Sequence, residues 1–579
     1  MFRDDRFKGL TMTDIRKDLI AGITVGVVAI PLGMAFAIAS GVSPEYGIYT
    51  TIIAGLIVAI FGGSSFQIAG PTGAFIPILL GIVLQYGYED LLIAGMLAGI
   101  MLILMSIFKF GSLITYIPRS VTIGFTSGIA VIIFTGQLEN FFGLENIEKK
   151  EYFHQNMIEI FSNFHSVNFY SILLGIIGLL IIIFVPKISP RTPVLLVALI
   201  IPTLVAVIFM PGKVATIGSA FGGISQSLPT IKFPEITWEK LMYLWQPAFA
   251  IAMLGGIESL LSAVVADGMT GKKHNSDREL FGQGLANILT PLFGGIPATG
   301  AIARTATNIK SGAVSPMSGV FQSLFVLLTL LLFAPFASYI PLASMAPILM
   351  VVAFNMSEYK SFSMILKLRN SDSLVLVTTF LLTVFVNLTV AVPVGLLLAM
   401  VSFVRRISHV LEVDDIKPDK FTEKEIQNKR RQDYACPQIA SFTIRGPLFF
   451  GAADRFESTL SQAINRRPEV LILKMRHVSM IDATGAANLA AAIEDFIKNK
   501  GIVLITEIAE EPLEMLKKTE LYEMVGPDNF YEDTTDAIND ALERINPQKC
   551  PYCSRKGGGS CRVYVNTNQS PYKTRDKMD

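Results

Sequence analysis

Two interruptions in an otherwise apolar chain hold the residues best placed to do chemistry. FGGSSFQIAGPTGAF (Phe61 to Phe75) and FGGIPATGAIARTATNIKSG (Phe293 to Gly312) both open Phe-Gly-Gly, and both reach Thr-Gly-Ala. Gly70-Pro71 cannot continue a helix backwards, so a half-helix is expected to start near Pro71 or Thr72. Pro297 predicts a matching half-helix from near Thr299. A helix N-terminus leaves N–H groups unpaired and carries about +0.5 of an elementary charge. Within a bilayer such an end persists only where it is buried in protein or lines a watery cavity. Two of them in corresponding positions point to a ligand site near the midplane, and their charge points to an anion. Ala69, Gly70, Gly73, Gly300 and Ala301 leave room for a small ligand to approach the backbone.

Two ionisable residues sharpen this picture. Arg304 is expected about a turn and a half inside the second half-helix. An arginine at the midplane costs about 2.5–3.5 kcal/mol on insertion scales, so its default reading is functional: a fixed positive charge for the anion. Glu258, in MLGGIESLLSAVVADG, is the acid set well inside an apolar run. It suits a proton carrier, or a Na⁺ ligand together with Ser262 one turn on. The structural alternative is an Arg304–Glu258 ion pair. Phe36 is placed to wall the site, and Pro31 and Gly33 are expected to break or kink the first span. Cys550, Cys553 and Cys561 near the C-terminus lack a fourth ligand and a nearby histidine, so they read as part of a polar tail rather than a metal site.

The elements that must position these residues are apolar. The 579-residue chain is 51% hydrophobic and only 16% charged. Residues 19–108 carry only Glu45, Glu89 and Asp90 as charges, whereas 411–579 are rich in them. Apolar runs predict spans near 19–40, 45–62, 89–108, 120–138, 170–186, 193–210, 245–267, 317–339, 341–357, 372–390 and 392–409. Shorter or broken elements follow near 71–87, 278–292 and 298–311, for about fourteen in all. Lys109, Arg119, Lys187, Arg191, Lys272, Lys273, Arg278, Lys360, Lys367, Arg369, Arg405 and Arg406 fall on one side if both termini are cytoplasmic, with 139–169 outside. The predicted division is a cytoplasmic N-terminal segment 1–18, a transmembrane domain 19–411, a charged linker 412–435, a soluble α/β domain 436–545 and a flexible tail 546–579. In the soluble domain IASFTIRGPLFFG, EVLILKM and IVLITEI read as strands. ATGAANLAAAIEDFIKNKG reads as a helix capped by Asp482, and EPLEMLKKTELYEMVG as a second helix.

A net charge of +1 without a basic stripe argues against nucleic acid. No phosphate-binding loop or nucleophile elbow appears, so no enzyme and no cofactor are expected.

VAIPLGMAFAIASGVSPEYGIYT, FGGSSFQIAGPTGAF, GQGLANILTPLFGGIPATGAIARTATNIKSGAVSPMSG and IDATGAANL together resemble the SulP family of anion transporters, the sulfate-permease group that includes the animal solute-carrier anion exchangers and prestin. The resemblance covers about residues 10–545. It implies an α-helical polytopic membrane protein with seven plus seven inverted repeats, a core and a gate subdomain, elevator-like motion, a homodimer and a cytoplasmic STAS domain. Carried over by position, it implies that Phe36, Thr72, Ala303 and Arg304 line the anion site. It places Glu258 at an acidic coupling position, and Ser262 and Thr299 near a sodium site. Pro31-Leu32-Gly33 departs from the Pro-Gln-Gly that many members carry, which bears on the substrate. The loop Asp482-Ala483-Thr484-Gly485 resembles a phosphorylated loop of anti-sigma-factor antagonists, with Thr484 at the regulatory position.

The implied activity is secondary transport of a small inorganic anion, coupled to H⁺ or Na⁺, in a bacterial inner membrane and in contact with its lipids. Sulfate is the first expectation and bicarbonate the next, with dicarboxylate symport or anion exchange as alternatives. A nucleobase–cation symporter is the rival within the fold, and a membrane sensor signalling through its STAS domain to a cytoplasmic partner is the rival of another class.

Overall fold

The computed structural model describes residues 5–112, 117–150, 152–189, 192–224, 226, 231, 233–386, 388–408, 412–415, 438–450 and 468–545. The chain divides into two compact units, Met1–Ala399 and Met400–Asp579.

The first unit is helical: α1 (Met12–Ala39), α2 (Pro44–Phe61), α3 (Ile76–Tyr86), α4 (Tyr88–Ile107), α5 (Arg119–Gly136), α6 (Leu138–Phe142), α7 (Phe153–Ser162), α8 (Phe169–Ile188), α9 (Val194–Phe209), α10 (Ile217–Phe221), α11 (Trp238–Thr270), α12 (Ser276–Leu292), α13 (Ile302–Lys310), α14 (Met317–Ala337), α15 (Leu342–Met356), α16 (Tyr359–Lys367) and α17 (Ser371–Phe385), with α18 (Leu388–Ser408) following. Among the described residues nine helices are long and apolar enough to cross a membrane, and three more are apolar but shorter. Length and composition therefore support a multi-pass membrane protein, without by themselves yielding the expected fourteen elements. Leu173, Ile176 and Leu180 of α8 and Ile200 and Leu204 of α9 are exposed, as a lipid-facing surface requires.

The packing repeats. α1 packs on α14 as α11 packs on α4, and α2 packs on α14 as α12 packs on α4. Exchanging α1–α4 for α11–α14 thus maps these contacts onto one another, the pattern of two structural repeats. A second group is built on α5, α8, α9, α15 and α17, in which α5 packs on α17 and α15 on α8. The α4–α12 contact brings backbones together at Gly99 and Gly284, where a Cβ on either glycine would lie 2.6 Å from the other's carbonyl oxygen. Small residues permit such close approach where apolar surface alone does not drive helices together.

α1 begins at Met12 behind a Thr11–Asp14 capping box and runs unbroken through Pro31. Of the break or kink expected in the first span, a break is therefore absent, and the N-terminal stretch is continuous with the helix from Met12. Gly33 instead serves close packing, since a Cβ there would sit 2.9 Å from Thr51 Oγ1.

Two buried carboxylates join the repeats. Asp18 of α1 accepts from the Val314 and Ser315 amides at 2.7 and 3.1 Å. Glu279 of α12 accepts from the Gly63 and Ser64 amides at 2.8 and 3.1 Å, and from Gln283 Nε2 at 2.9 Å. Glu279→Ala leaves two buried N–H groups without an acceptor, at a cost of about 3 kcal/mol. Thermal unfolding of the detergent-solubilised protein should show a lowered midpoint, and Glu279→Gln, which keeps an acceptor, should recover part of it.

The second unit holds one five-stranded sheet in the order β3 (Glu412–Asp415), β4 (Ile439–Arg445), β5 (Val470–His477), β6 (Ile502–Thr506) and β7 (Phe530–Tyr531). Strands β4 to β7 are parallel and β3 is antiparallel to β4. Helices α19 (Ala483–Lys498), α20 (Glu510–Lys517), α21 (Leu521–Val525) and α22 (Thr534–Arg544) accompany it. The stretch expected as a linker, 412–435, thus contains a strand. Its sequence, EVDD, has little strand propensity, and the open edge of β4 supplies the pairing that propensity does not. The expected single helix from Glu511 is two helices, separated at Lys518–Glu520. Asp482 caps α19, accepting from the Gly485 amide at 2.7 Å. The cysteines Cys436, Cys550, Cys553 and Cys561 and the tail 546–579 lie outside the described residues.

Candidate anion-binding site

The two interruptions meet. Residues Ala69–Gly70 form the two-residue strand β1 and Thr299–Gly300 form β2, paired antiparallel with Ala69 opposite Gly300 and Gly70 opposite Thr299. Each strand leads into a half-helix. After β1 a 3-10 turn over Gly73–Phe75 opens α3. After β2, α13 starts at Ile302. The backbone stays extended through Gly300 because it pairs with β1, so α13 begins three residues later than the sequence suggests. Arg304 is consequently the third residue of α13, in its first turn, not a turn and a half inside.

Neither start is capped by a side chain, at Thr72 or at Ala301. The first-turn amides of α13, from Ile302 to Arg304, have no intrahelical acceptor by the geometry of a helix start. Ala301 N itself donates to Ile68 O at 2.8 Å, which ties the second half-helix to the strand before the first.

Arg304 is 2% exposed. Its Nη2 donates to the carbonyl of Pro71, reaching from the second half-helix to the entrance of the first. Its Nη1 is buried and has no partner among the described residues. Gly70 makes room for it, because a Cβ there would overlap Nη1. Glu258 of α11 accepts from Thr72 Oγ1 at 3.0 Å. Arg304 and Glu258 make no direct salt bridge, although each charge acts electrostatically on the other. Arg304 reaches the Pro71 carbonyl and Glu258 the Thr72 hydroxyl, neighbouring residues at the same half-helix entrance.

Phe36 of α1 is buried beside this entrance, with Cε1 3.5 Å from where a Cβ on Gly73 would lie. Ala69, Gly70, Thr72 and Gly73 lie along the first strand and turn, and Gly300 and Ala301 lie along the second. Ala303 is exposed. Thr299 is buried and its hydroxyl is committed: it is 2.8 Å from Ser259 Oγ and donates to Gly255 O at 3.2 Å. Ser262 Oγ donates to Thr305 Oγ1 at 3.2 Å, and that oxygen also accepts from Ile68 N at 3.1 Å. Ser262 and Thr299 thus fasten α11 to β2 and α13, and neither hydroxyl bonds to Glu258.

Several supporting residues were not singled out in the sequence. Ser259 accepts from Gly300 N at 2.9 Å through Oγ, and its carbonyl accepts from Gln67 Nε2 at 3.0 Å. Asn287 accepts from Ala298 N and donates to Ala298 O, both at 2.8 Å. Asn308 Nδ2 donates to Phe66 O at 3.0 Å and to Ser318 Oγ at 2.8 Å. A signal was present for α11: Gly255, Ser259 and Ser262 repeat at helical spacing on one face. Buried Asn and Gln side chains here replace the sheet neighbours that two-residue strands lack.

Gly70→Ala gives a direct test of the Arg304 geometry. The added methyl forces the guanidinium out of its place. Anion uptake by the variant in liposomes should fall about a hundredfold, close to the effect of removing Arg304, while the protein still elutes from a sizing column as wild type does.

A model of the sulfate permease family matches residues 15–379, and a STAS-domain model matches 432–537. The chain is 52% identical over 527 residues to YvdB of Bacillus subtilis (strain 168), which carries a provisional sulfate-transporter name; the match covers 91% of this chain and 98% of the relative. It is 30% identical over 551 residues to the bicarbonate transporter BicA of Picosynechococcus sp., covering 92% and 96%. Its fold is similar to the overall structure of SLC26A9, with a TM-score of 0.82 at 19% identity over 94% of this chain and 93% of that one.

Proposed function

The chain belongs to the sulfate permease family, and from that premise we propose that it is a secondary active transporter of a small inorganic anion. The observation that carries the reading is the junction of two uncapped half-helix starts with the unpartnered Nη1 of Arg304 beside Gly70. Such an arrangement offers backbone N–H groups, helix dipoles and one guanidinium to a single small anion. Phe36, Ala69, Gly70, Thr72, Gly73, Gly300, Ala301, Ala303 and Arg304 are the proposed binding residues. Thr299 belongs with them as a residue that holds β2 in place. Sulfate is the first substrate on the strength of the family, and bicarbonate is the next, favoured by the likeness to BicA.

Glu258 is the proposed coupling residue, for H⁺ or for Na⁺. Its bond to Thr72 links the state of the carboxyl to the first half-helix start. In this reading the group of α1–α4 and α11–α14 carries the site past the group built on α5 and α15, in an elevator-like movement. The protein works as a homodimer in the bacterial inner membrane with both termini cytoplasmic. Thr484, exposed in the first turn of α19, is the proposed regulatory position of the STAS domain, since a phosphate at a helix start is electrostatically favourable.

Uptake by the purified protein in liposomes tests the reading. Labelled sulfate, bicarbonate and fumarate are offered in parallel, each under an inward proton or sodium gradient. Gradient-driven uptake of an inorganic anion is the expected result. Uptake of fumarate alone would move the assignment to dicarboxylates, and uptake of none by folded protein would favour a sensor role.

A further inference from the structure

A cavity of about 400 Å³ runs beside α3, away from the anion site. Its wall includes Ile76 and Gln85 of α3, Ile133 of α5, and Gln137 and Lys149 beyond α5. Ile76 and Gln85 are nine residues apart, so the cavity follows α3 for about 14 Å at the helical rise of 1.5 Å per residue. Its polar residues gather at the end formed by the C-terminus of α3 and the connection after α5. Ile76, Pro77 and Ile78 line it where α3 begins, and α3 begins at the anion site.

Ile133 belongs to both places. It lines the cavity, and its Cδ1 is 3.3 Å from where a Cβ on Gly73 would stand. Ile133 is 2% exposed and Ile76 is 4% exposed. The partition between cavity and site is therefore one layer of side chains thick. Its two members come from different helix groups, α3 from the repeat that carries the site and α5 from the other. An apolar constriction of this kind closes a pathway to a hydrated anion by excluding water.

We propose that the cavity is the access route to the anion site from that face of the membrane, and that Ile133, closing against Ile76, is its barrier. The proposal rests on the transport reading for its purpose, but not for its test. The four native cysteines, Cys436, Cys550, Cys553 and Cys561, are first replaced by serine. Gln85→Cys and Thr72→Cys are then made singly, and each is reacted with a charged, membrane-impermeant methanethiosulfonate in intact cells and in inverted vesicles.

The side from which Gln85→Cys reacts defines the cavity's face. From that side Thr72→Cys should be protected. Adding Ile133→Ala should raise its rate at least tenfold and leave the rate at Gln85→Cys unchanged, whereas Ile133→Val, which keeps the branched bulk, should stay protected. Rapid reaction of Thr72→Cys from that side with Ile133 intact would overturn the proposal. So would continued protection in Ile133→Ala, or failure of Gln85→Cys to react from either side. Because labelling needs no substrate, a chain that opens in this way yet carries no anion would uphold the barrier and sink the transport reading.

Discussion

Arg304→Ala is expected to lower anion uptake in liposomes by about a hundredfold or more. Hydrogen bonds to charged groups contribute about 1.5–3 kcal/mol each. The guanidinium has one arm on the Pro71 carbonyl and Nη1 buried without a partner among the described residues. Losing one or two such bonds to the anion amounts to about 3–4 kcal/mol, or two to three powers of ten. The protein should still fold, because alanine removes a costly buried charge and leaves only the Pro71 carbonyl without its donor. Arg304→Lys should recover only part of the loss, since an ammonium is a point charge and cannot hold Pro71 O and an anion with the same planar fork. Uptake in Arg304→Ala within threefold of wild type would mean that the helix starts alone bind the anion, and that Arg304 merely fastens α13 to Pro71.

Glu258→Gln should separate coupling from binding. Glutamine keeps an oxygen to accept from Thr72 Oγ1, as Glu258 does at 3.0 Å, but it cannot carry a proton or a negative charge. The variant should therefore exchange internal for external anion at a rate within severalfold of wild type, and lose net accumulation under either cation gradient. Counterflow and gradient-driven uptake on the same liposomes separate the two. Accumulation at the wild-type level would exclude Glu258 as the coupling residue. Loss of both exchange and accumulation would instead assign it to holding Thr72 and the first half-helix start.

These expectations lean on residues that differ in how visible they were. Gly70-Pro71 and Pro297 announce half-helices because the ring and the missing donor bar a helix from continuing backwards. The recurrence of Thr-Gly-Ala ties the two breaks together, and a bare arginine in apolar surroundings marks the second. The first helical residue was less legible, since β2 holds Thr299 and Gly300 extended only because β1 lies opposite. The same holds for β3, whose EVDD has no strand pattern of its own yet pairs with β4. Conversely, Pro31 promised a break or a kink in the first span, and α1 runs through it without a break. In a membrane helix neighbouring groups re-satisfy what a proline frees.

The amino-acid sequence by itself determined that this chain crosses a membrane, that two of its helices are cut short at matching places, and that a small α/β domain follows. Those properties depend on composition, on local backbone restriction and on periodicity, all of which act between near neighbours. Tertiary structure alone decided which group answers which. Gln67 meets Ser259 across 192 residues, Thr72 meets Glu258 across 186 and Arg304 meets Pro71 across 233. In an interior where water is scarce, each exposed backbone or side-chain dipole takes the partner that the closed repeat brings within reach. The partner's identity depends on where the helices come to rest, and no local pattern carries that information.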